Sequence, residues 1–372
     1  MTPSPVLLQL LDEVGRLEAG DAESDAALLP AALVALGCLG VDDARLVGWR
    51  DAYVRTHALA PLGVGPGWPA GDAWTSRLGQ AHARPMYRDL FAQWIAHEDG
   101  EPVLAQVLPA LMPGCSAGAF APLIGTAHAV AARHGDALAD ALAAWASGYQ
   151  PLGPLPLSGS VDVLPASRSA SAKSATLGEP DPQVLLRRLP RPGGTQSSHA
   201  SPASGERRST GQRGLRTDAD RRSPMTESIA ALARGGTINA AVAPLAIDSG
   251  TPERLSRAAA LACARSGGVL PMRLLAATSA MRQLAAFTDD EAAAWRWFWQ
   301  ACAHAVVAAR LQDRGALPPR SWAELTRAAL AGGSAEALVF VATARDEEQR
   351  YGGDDWRRAA TRVLAEAASP PN

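Results

Sequence analysis

Apolar residues recur along this chain with the period of a helix. Leu7, Leu10, Leu11, Val14 and Leu17 form one stripe, and Tyr87, Leu90, Phe91, Trp94 and Ile95 form another. The start signals agree. Thr251 before Pro252 and Glu253 reads as a capping hydroxyl, a pre-set φ and an acid near the positive end of a helix. Thr288 with Glu291, and Ser321 with Glu324, fit the capping box. Sustained alternation of period two is absent, β-branched residues are sparse beside alanine and leucine, and no long-period repeat occurs. The expected fold is all-α, a multi-helix single domain interrupted by a long insert.

The interruption is visible in composition. No aromatic residue occurs between Tyr149 and Phe287, and residues 158–224 hold 12 Ser, 7 Pro and 7 Gly among 67 positions. Such a stretch buries too little apolar surface to offset its ordering entropy. Three parts are therefore expected: an N-terminal helical half (1–152), a disordered Ser/Pro/Gly/Arg-rich insert (153–224), and a C-terminal helical half (225–372) that packs with the first as one domain. Inside the insert, Val184-Leu185-Leu186 followed by Arg187 and Arg188 reads as a passing apolar patch in preference to a docking motif.

Charge removes several function classes. Lys plus Arg is 35 against 37 acidic residues, a net of −2 in 372 residues, so no nucleic-acid or membrane-surface partner is expected. The longest uncharged segment, 102–132, is cut by Pro109, Pro113, Gly114, Gly118 and Pro122, and reads as buried helices joined by a turn instead of a membrane span. Asp12 and Glu13 arrive too early for a secretory leader. Four widely spaced cysteines without a CxxC pair point to a reducing cytoplasm, with no disulfide framework and no structural zinc. HExxH, Glu-x-x-His and acidic calcium loops are missing, so no metal is expected.

Two motifs mislead. Gly63-Val64-Gly65-Pro66-Gly67-Trp68 imitates a dinucleotide loop but follows a helical pattern and has Trp68 where the third glycine belongs. Gly114-Cys115-Ser116-Ala117-Gly118 matches G-x-S-x-G, yet no strand precedes it to expose the serine; a helix–turn–helix joint is the plainer reading, with a serine hydrolase using Ser116 as an alternative. The histidines sit beside aromatics. Trp49, Tyr53 and His57 share one helix face, His128 lies over Ile124, and Trp297, Gln300 and His304 share another face, while Trp295, Phe298, Trp299 and Cys302 take a more core-like one. Arg345-Asp346-Glu347-Glu348-Gln349-Arg350 reads as a solvated face with an Asp346–Arg350 pair.

Longer stretches carry a family resemblance: Leu29-Pro30-Ala31-Ala32-Leu33 through Leu39-Gly40, Trp49 to Tyr53 and Pro61-Leu62-Gly63; Leu78-Gly79, Tyr87, Val103 to Pro109, Pro113-Gly114 and Ala119-Phe120 to His128; and Trp322 to Leu330 with Leu338-Val339-Phe340 through Tyr351-Gly352. Their order resembles the questin oxidase-like family, all-α proteins with Baeyer–Villiger-type oxidases of polyketide-like aromatics among them. The resemblance implies NADPH-dependent oxidation of a small apolar or aromatic molecule. It leaves His128, His57 and His304 as acid–base candidates and Trp297, Tyr53 and Phe120 as substrate walls. The chain departs from the family's pattern where histidines are usual: Leu28, Ala121, Arg273, Ser279 and Ser334 stand there instead. A degenerate paralogue that binds a small apolar ligand or a partner is the corresponding alternative.

Overall fold

The computed structural model describes residues 2–17, 23–62, 67–69, 71–155, 181–183, 224–234 and 245–367, together with Leu185, Leu189 and Ile238. The described residues build helices and contain no strand, only an isolated antiparallel bridge between Leu17 and Pro61. The expected all-α class is what forms. Most of the insert, with Gly63 to Pro66, lies outside the described residues.

In the first half, α1 (Pro5–Val14) starts on Ser4, whose hydroxyl accepts from Leu7 N at 3.1 Å. Its predicted stripe of Leu7, Leu10, Leu11 and Val14 is buried. A 3-10 turn (Asp25–Leu28) leads into α2 (Leu29–Cys38), followed by α3 (Asp43–His57), α4 (Arg84–Glu98) and α5 (Gly100–Leu111). Two short 3-10 turns, Met112–Gly114 and Ala117–Phe120, then deliver the chain to α6 (Ala121–Ala132) and α7 (Gly135–Ser147). The joint expected around Ser116 is what forms, and Gly114 shows why. A Cβ there would stand 2.5 Å from the Tyr149 ring, and Trp145 Nε1 donates to the Gly114 carbonyl at 3.1 Å.

The second half comprises α8 (Pro224–Arg234), α9 (Thr251–Ser266), α10 (Val269–Leu284), α11 (Glu291–Ala309), α12 (Trp322–Gly332), α13 (Ala335–Tyr351) and α14 (Asp355–Ala367). The halves interleave: α13 packs on α2 and α10, and α10 packs on α6. One apolar cluster consequently runs from Leu7 to Leu364. Burial on this scale, at roughly 25 cal/mol per Å² of apolar surface, is what holds the shorter helices together, since even Ala-rich helices of their length are marginal alone in water.

Three local expectations need correction. The Ser321–Glu324 capping box is present, but α11 starts on Asp290, whose carboxylate accepts from Ala293 N at 2.8 Å, and Thr288 instead donates to the Ala285 carbonyl. Glu347 is buried and pairs with Arg282 of α10 at 2.8 Å, with Asp346 at 3.3 Å, so the 345–350 run packs against a neighbour through one side. Finally, Leu185 and Leu189 are buried in the common cluster, Leu185 to 1% exposure. Leu185 and Leu189 dock, and for Leu185 the passing-patch reading fails because the surface it meets was invisible along the chain.

Candidate functional site

Helices α9 and α11 lie on either side of α10 and leave a groove of about 520 Å³ between them. Its size falls in the range of small-molecule sites. Helical spacing selects the walls. From α11 come Trp299, Cys302 and Val306; from α9, Leu255, Ala259 and Ala262; the floor is Leu274 and Thr278 of α10. Small side chains on α9 keep the walls apart. Gln183 and Leu189 of the insert close a further side.

The two hydroxyls that line the groove are already committed. Thr278 Oγ1 donates to the Leu274 carbonyl at 2.7 Å and Ser266 Oγ to the Ala262 carbonyl at 2.6 Å. Burial, reinforced by the nearby Cys115, pushes the Cys302 thiol well above its ordinary range, so it is an inert thiol at neutral pH. No histidine is among the described lining residues. Among the described lining residues charge appears only at the mouth. Arg265 pairs with Asp313 at 3.1 Å, and Arg314 N donates to the Arg265 carbonyl at 2.8 Å, which ties the segment after α11 to the end of α9. Arg310 sits beside them at the left-handed end of α11, with φ 46°.

None of the six residues singled out from sequence lines this groove. The three histidines instead make the same local bond. Nδ1 of His57 lies 3.0 Å from the Tyr53 carbonyl, Nδ1 of His128 2.9 Å from that of Ile124, and Nδ1 of His304 2.8 Å from that of Gln300. A carbonyl only accepts, so Nδ1 carries the proton and Nε2 holds the free lone pair. His57 is exposed and stacks on Tyr53 at 4.0 Å, as the face of Trp49, Tyr53 and His57 predicts. His128 is half-buried and His304 fully buried, and desolvation lowers the pKa of both. The Nε2 of His304 has no partner among the described residues.

The apolar candidates serve packing. Phe120 meets Phe298 edge to face at 6.1 Å, and the half-buried Trp297 offers its carbonyl to Cys115 Sγ at 3.7 Å. The Tyr53 hydroxyl donates to Asp25 at 2.7 Å; burial first, then that carboxylate, holds its phenol far above the usual range. Ser116 is buried between two 3-10 turns, and no hydrogen bond joins it to a histidine among the described residues.

The five positions at which the sequence resemblance implies histidine occupy elements that touch one another: the 3-10 turn ending at Leu28, the start of α6 at Ala121, α10 with Arg273 and Ser279, and the N-cap of α13 at Ser334. They frame a filled polar core. Arg273 pairs with Glu336, and Asp25 accepts from Ser334 Oγ at 2.9 Å and from the backbone of Ala335 and Glu336 at 2.9 and 2.8 Å. Burial pushes the Glu336 carboxyl up, and Arg273 pulls it back. Neither the groove nor a second, narrow cleft of about 30 Å³ that includes Ala121 collects these five residues.

Among the described residues no group of three or more metal-ligating side chains converges, and no helix is long and apolar enough to cross a membrane. What sequence reasoning missed is the groove between α9 and α11. Trp299 and Cys302 were legible as an apolar face, but nothing along the chain says that part of that face is left uncovered. Comparison with protein-family models yields no match, and no curated protein matches the chain.

Proposed function

We propose that this protein binds a small apolar or aromatic molecule in the groove between α9 and α11. One observation carries the reading: a groove of about 520 Å³ whose walls are aliphatic and aromatic and whose hydroxyls already donate to backbone carbonyls. A flat ring or branched chain would gain burial there at little polar cost. No described lining residue is a histidine, so the reading is of a holder that does not itself exchange protons with the ligand near neutral pH.

The test is a substitution that fills the groove. Ala262→Trp projects from α9 into it and is expected to abolish calorimetric binding of an aromatic probe such as anthracene while leaving the helical melt intact. Undiminished binding in a folded Ala262→Trp protein would place the ligand elsewhere.

NADPH-dependent Baeyer–Villiger oxidation is the second reading. Its support is the family resemblance, together with a groove wide enough for a flat ring. A product one oxygen heavier than its substrate, formed with consumption of NADPH and lost in His128→Ala, would promote it over simple binding. A cytoplasmic location belongs to the same proposal and rests on the four unpaired cysteines.

A further inference from the structure

We infer that the ligand of this groove is a monocarboxylate with an apolar body, its carboxylate on Arg310 and its body between α9 and α11. The inference rests on the binding reading above and adds the charge of the ligand.

Among the described residues the mouth of the groove carries three charges, and two of them cancel. Arg265 and Asp313 form an ion pair at 3.1 Å, both more than half exposed. Arg310 is exposed and lines the same mouth, and its guanidinium makes no ion pair and no hydrogen bond among the described residues. The left-handed turn at Arg310 ends α11, so this side chain leaves the helix at the rim, where the apolar wall of Val306 and Val307 stops. Among the described residues the groove thus presents a mostly hydrophobic interior and, in Arg310, one cation without an ionic partner and with a planar fork of donors.

That combination selects among ligand classes. A cation would meet two guanidinium groups and one carboxylate. A phosphate monoester carries nearly two negative charges and would crowd Asp313. A neutral apolar molecule would leave Arg310 unused. A monoanion matches the single excess charge, and a carboxylate matches the bidentate geometry of the guanidinium. Inside the groove the hydroxyls of Thr278 and Ser266 ask for no polar partner from the ligand, because their own helices satisfy them.

The experiment compares anthracene-2-carboxylate with anthracene-2-carboxamide, which has the same ring and nearly the same shape without the charge. Both are titrated calorimetrically into the full-length protein and into Arg310→Gln at low and high ionic strength. The acid is expected to bind about tenfold more tightly than the amide, as one charge-assisted hydrogen-bonded pair allows. Salt should narrow the gap, since the site is at the surface. Arg310→Gln should erase it by weakening the acid alone; an exposed rim residue puts the fold at little risk, and unchanged amide affinity verifies that the groove survives. Equal affinity for acid and amide, or a preference that persists in Arg310→Gln, overturns the carboxylate inference and leaves the binding reading standing. If neither compound binds the unaltered protein, both fall together. A naphthyl phosphate that outcompetes the carboxylate would replace the monoanion with a dianion.

Discussion

Arg273 of α10 donates through Nη1 to the carbonyl oxygen of Gly118 at 3.0 Å. Gly118 is the first of three consecutive residues with left-handed backbone, at φ 51° for Gly118, 48° for Ala119 and 70° for Phe120. An L-residue held there costs ~1–2 kcal/mol, so Ala119 and Phe120 need a surrounding structure that over-determines them. Arg273 supplies much of it. The same guanidinium pairs with Glu336 of α13 and donates to the Glu23 carbonyl at 2.7 Å, joining both halves of the chain at one side chain.

Removing that side chain should therefore be costly. Arg273→Met leaves the Glu336 charge and several carbonyls buried without partners, and urea unfolding is expected to show a loss of about 3–5 kcal/mol. Arg273→Lys keeps the charge but lacks the fork that reaches several acceptors at once, so it should fall between. A loss below ~1 kcal/mol in Arg273→Met would mean the core relaxes around the gap, and the anchoring role would be lost.

Acid should weaken the fold in a defined window. Desolvation lowers the folded pKa of His128 and His304 from the ordinary 6.5, partly offset by their bonds to the carbonyls of Ile124 and Gln300. Both then hold a proton more weakly when folded than when unfolded. Their contribution is complete above about pH 6.5 and is lost as pH falls from there toward the lowered folded values. Melting temperature followed across roughly pH 5–8 should drop on the acid side. His304→Leu should shallow that drop and also remove the unpartnered Nε2. An identical profile in His304→Leu would show that His304 contributes nothing to the acid sensitivity.

Leu185 and Leu189 should matter although the composition around them is that of a linker. Leu185 is 1% exposed and Leu189 7%. Leu185→Ala is expected to cost about 2–3 kcal/mol, at the lower end for a buried leucine. Leu189→Ala should cost less and should widen the groove it lines, changing probe affinity. Deleting the whole of 158–224 is then expected to lower the melting temperature, whereas deleting 158–180 alone should not. Melts of Leu185→Ala and of both deletions that overlay the unaltered protein would return this stretch to the status of a linker.

Ser116 should be chemically ordinary and Gly114 indispensable. A fluorophosphonate probe is expected to leave Ser116 unlabelled, since among the described residues no histidine bonds to it and no strand presents it. Gly114→Ala forces a methyl against the Tyr149 ring and should destabilise by about 1–3 kcal/mol. Labelling that vanishes in Ser116→Ala would instead reopen hydrolase chemistry.

The division between what was readable along the chain and what was not follows from the range of the forces involved. Periodicity and capping act within one or two turns. The stripe of Leu7 to Val14, the Ser321–Glu324 box, the stacked face of Trp49, Tyr53 and His57, and the joint at Gly114 are therefore legible in the sequence, and with them the all-α class. The partners of His57, His128 and His304 are likewise local, four residues back on the same helix. Sequence could not say which face of α11 is covered. Trp299 and Trp297 are two residues apart and chemically alike, yet only the placement of α9 across α10 gives Trp299 the groove and leaves Trp297 to pack beside Cys115. Nor could it say that Leu185 finds a surface, or that an arginine at 273 meets Gly118, 155 residues away, and Glu336, 63 residues away. Those contacts exist only after the helices assemble, because burial selects among partners far apart in the chain while the local pattern records only that each helix has a face to bury.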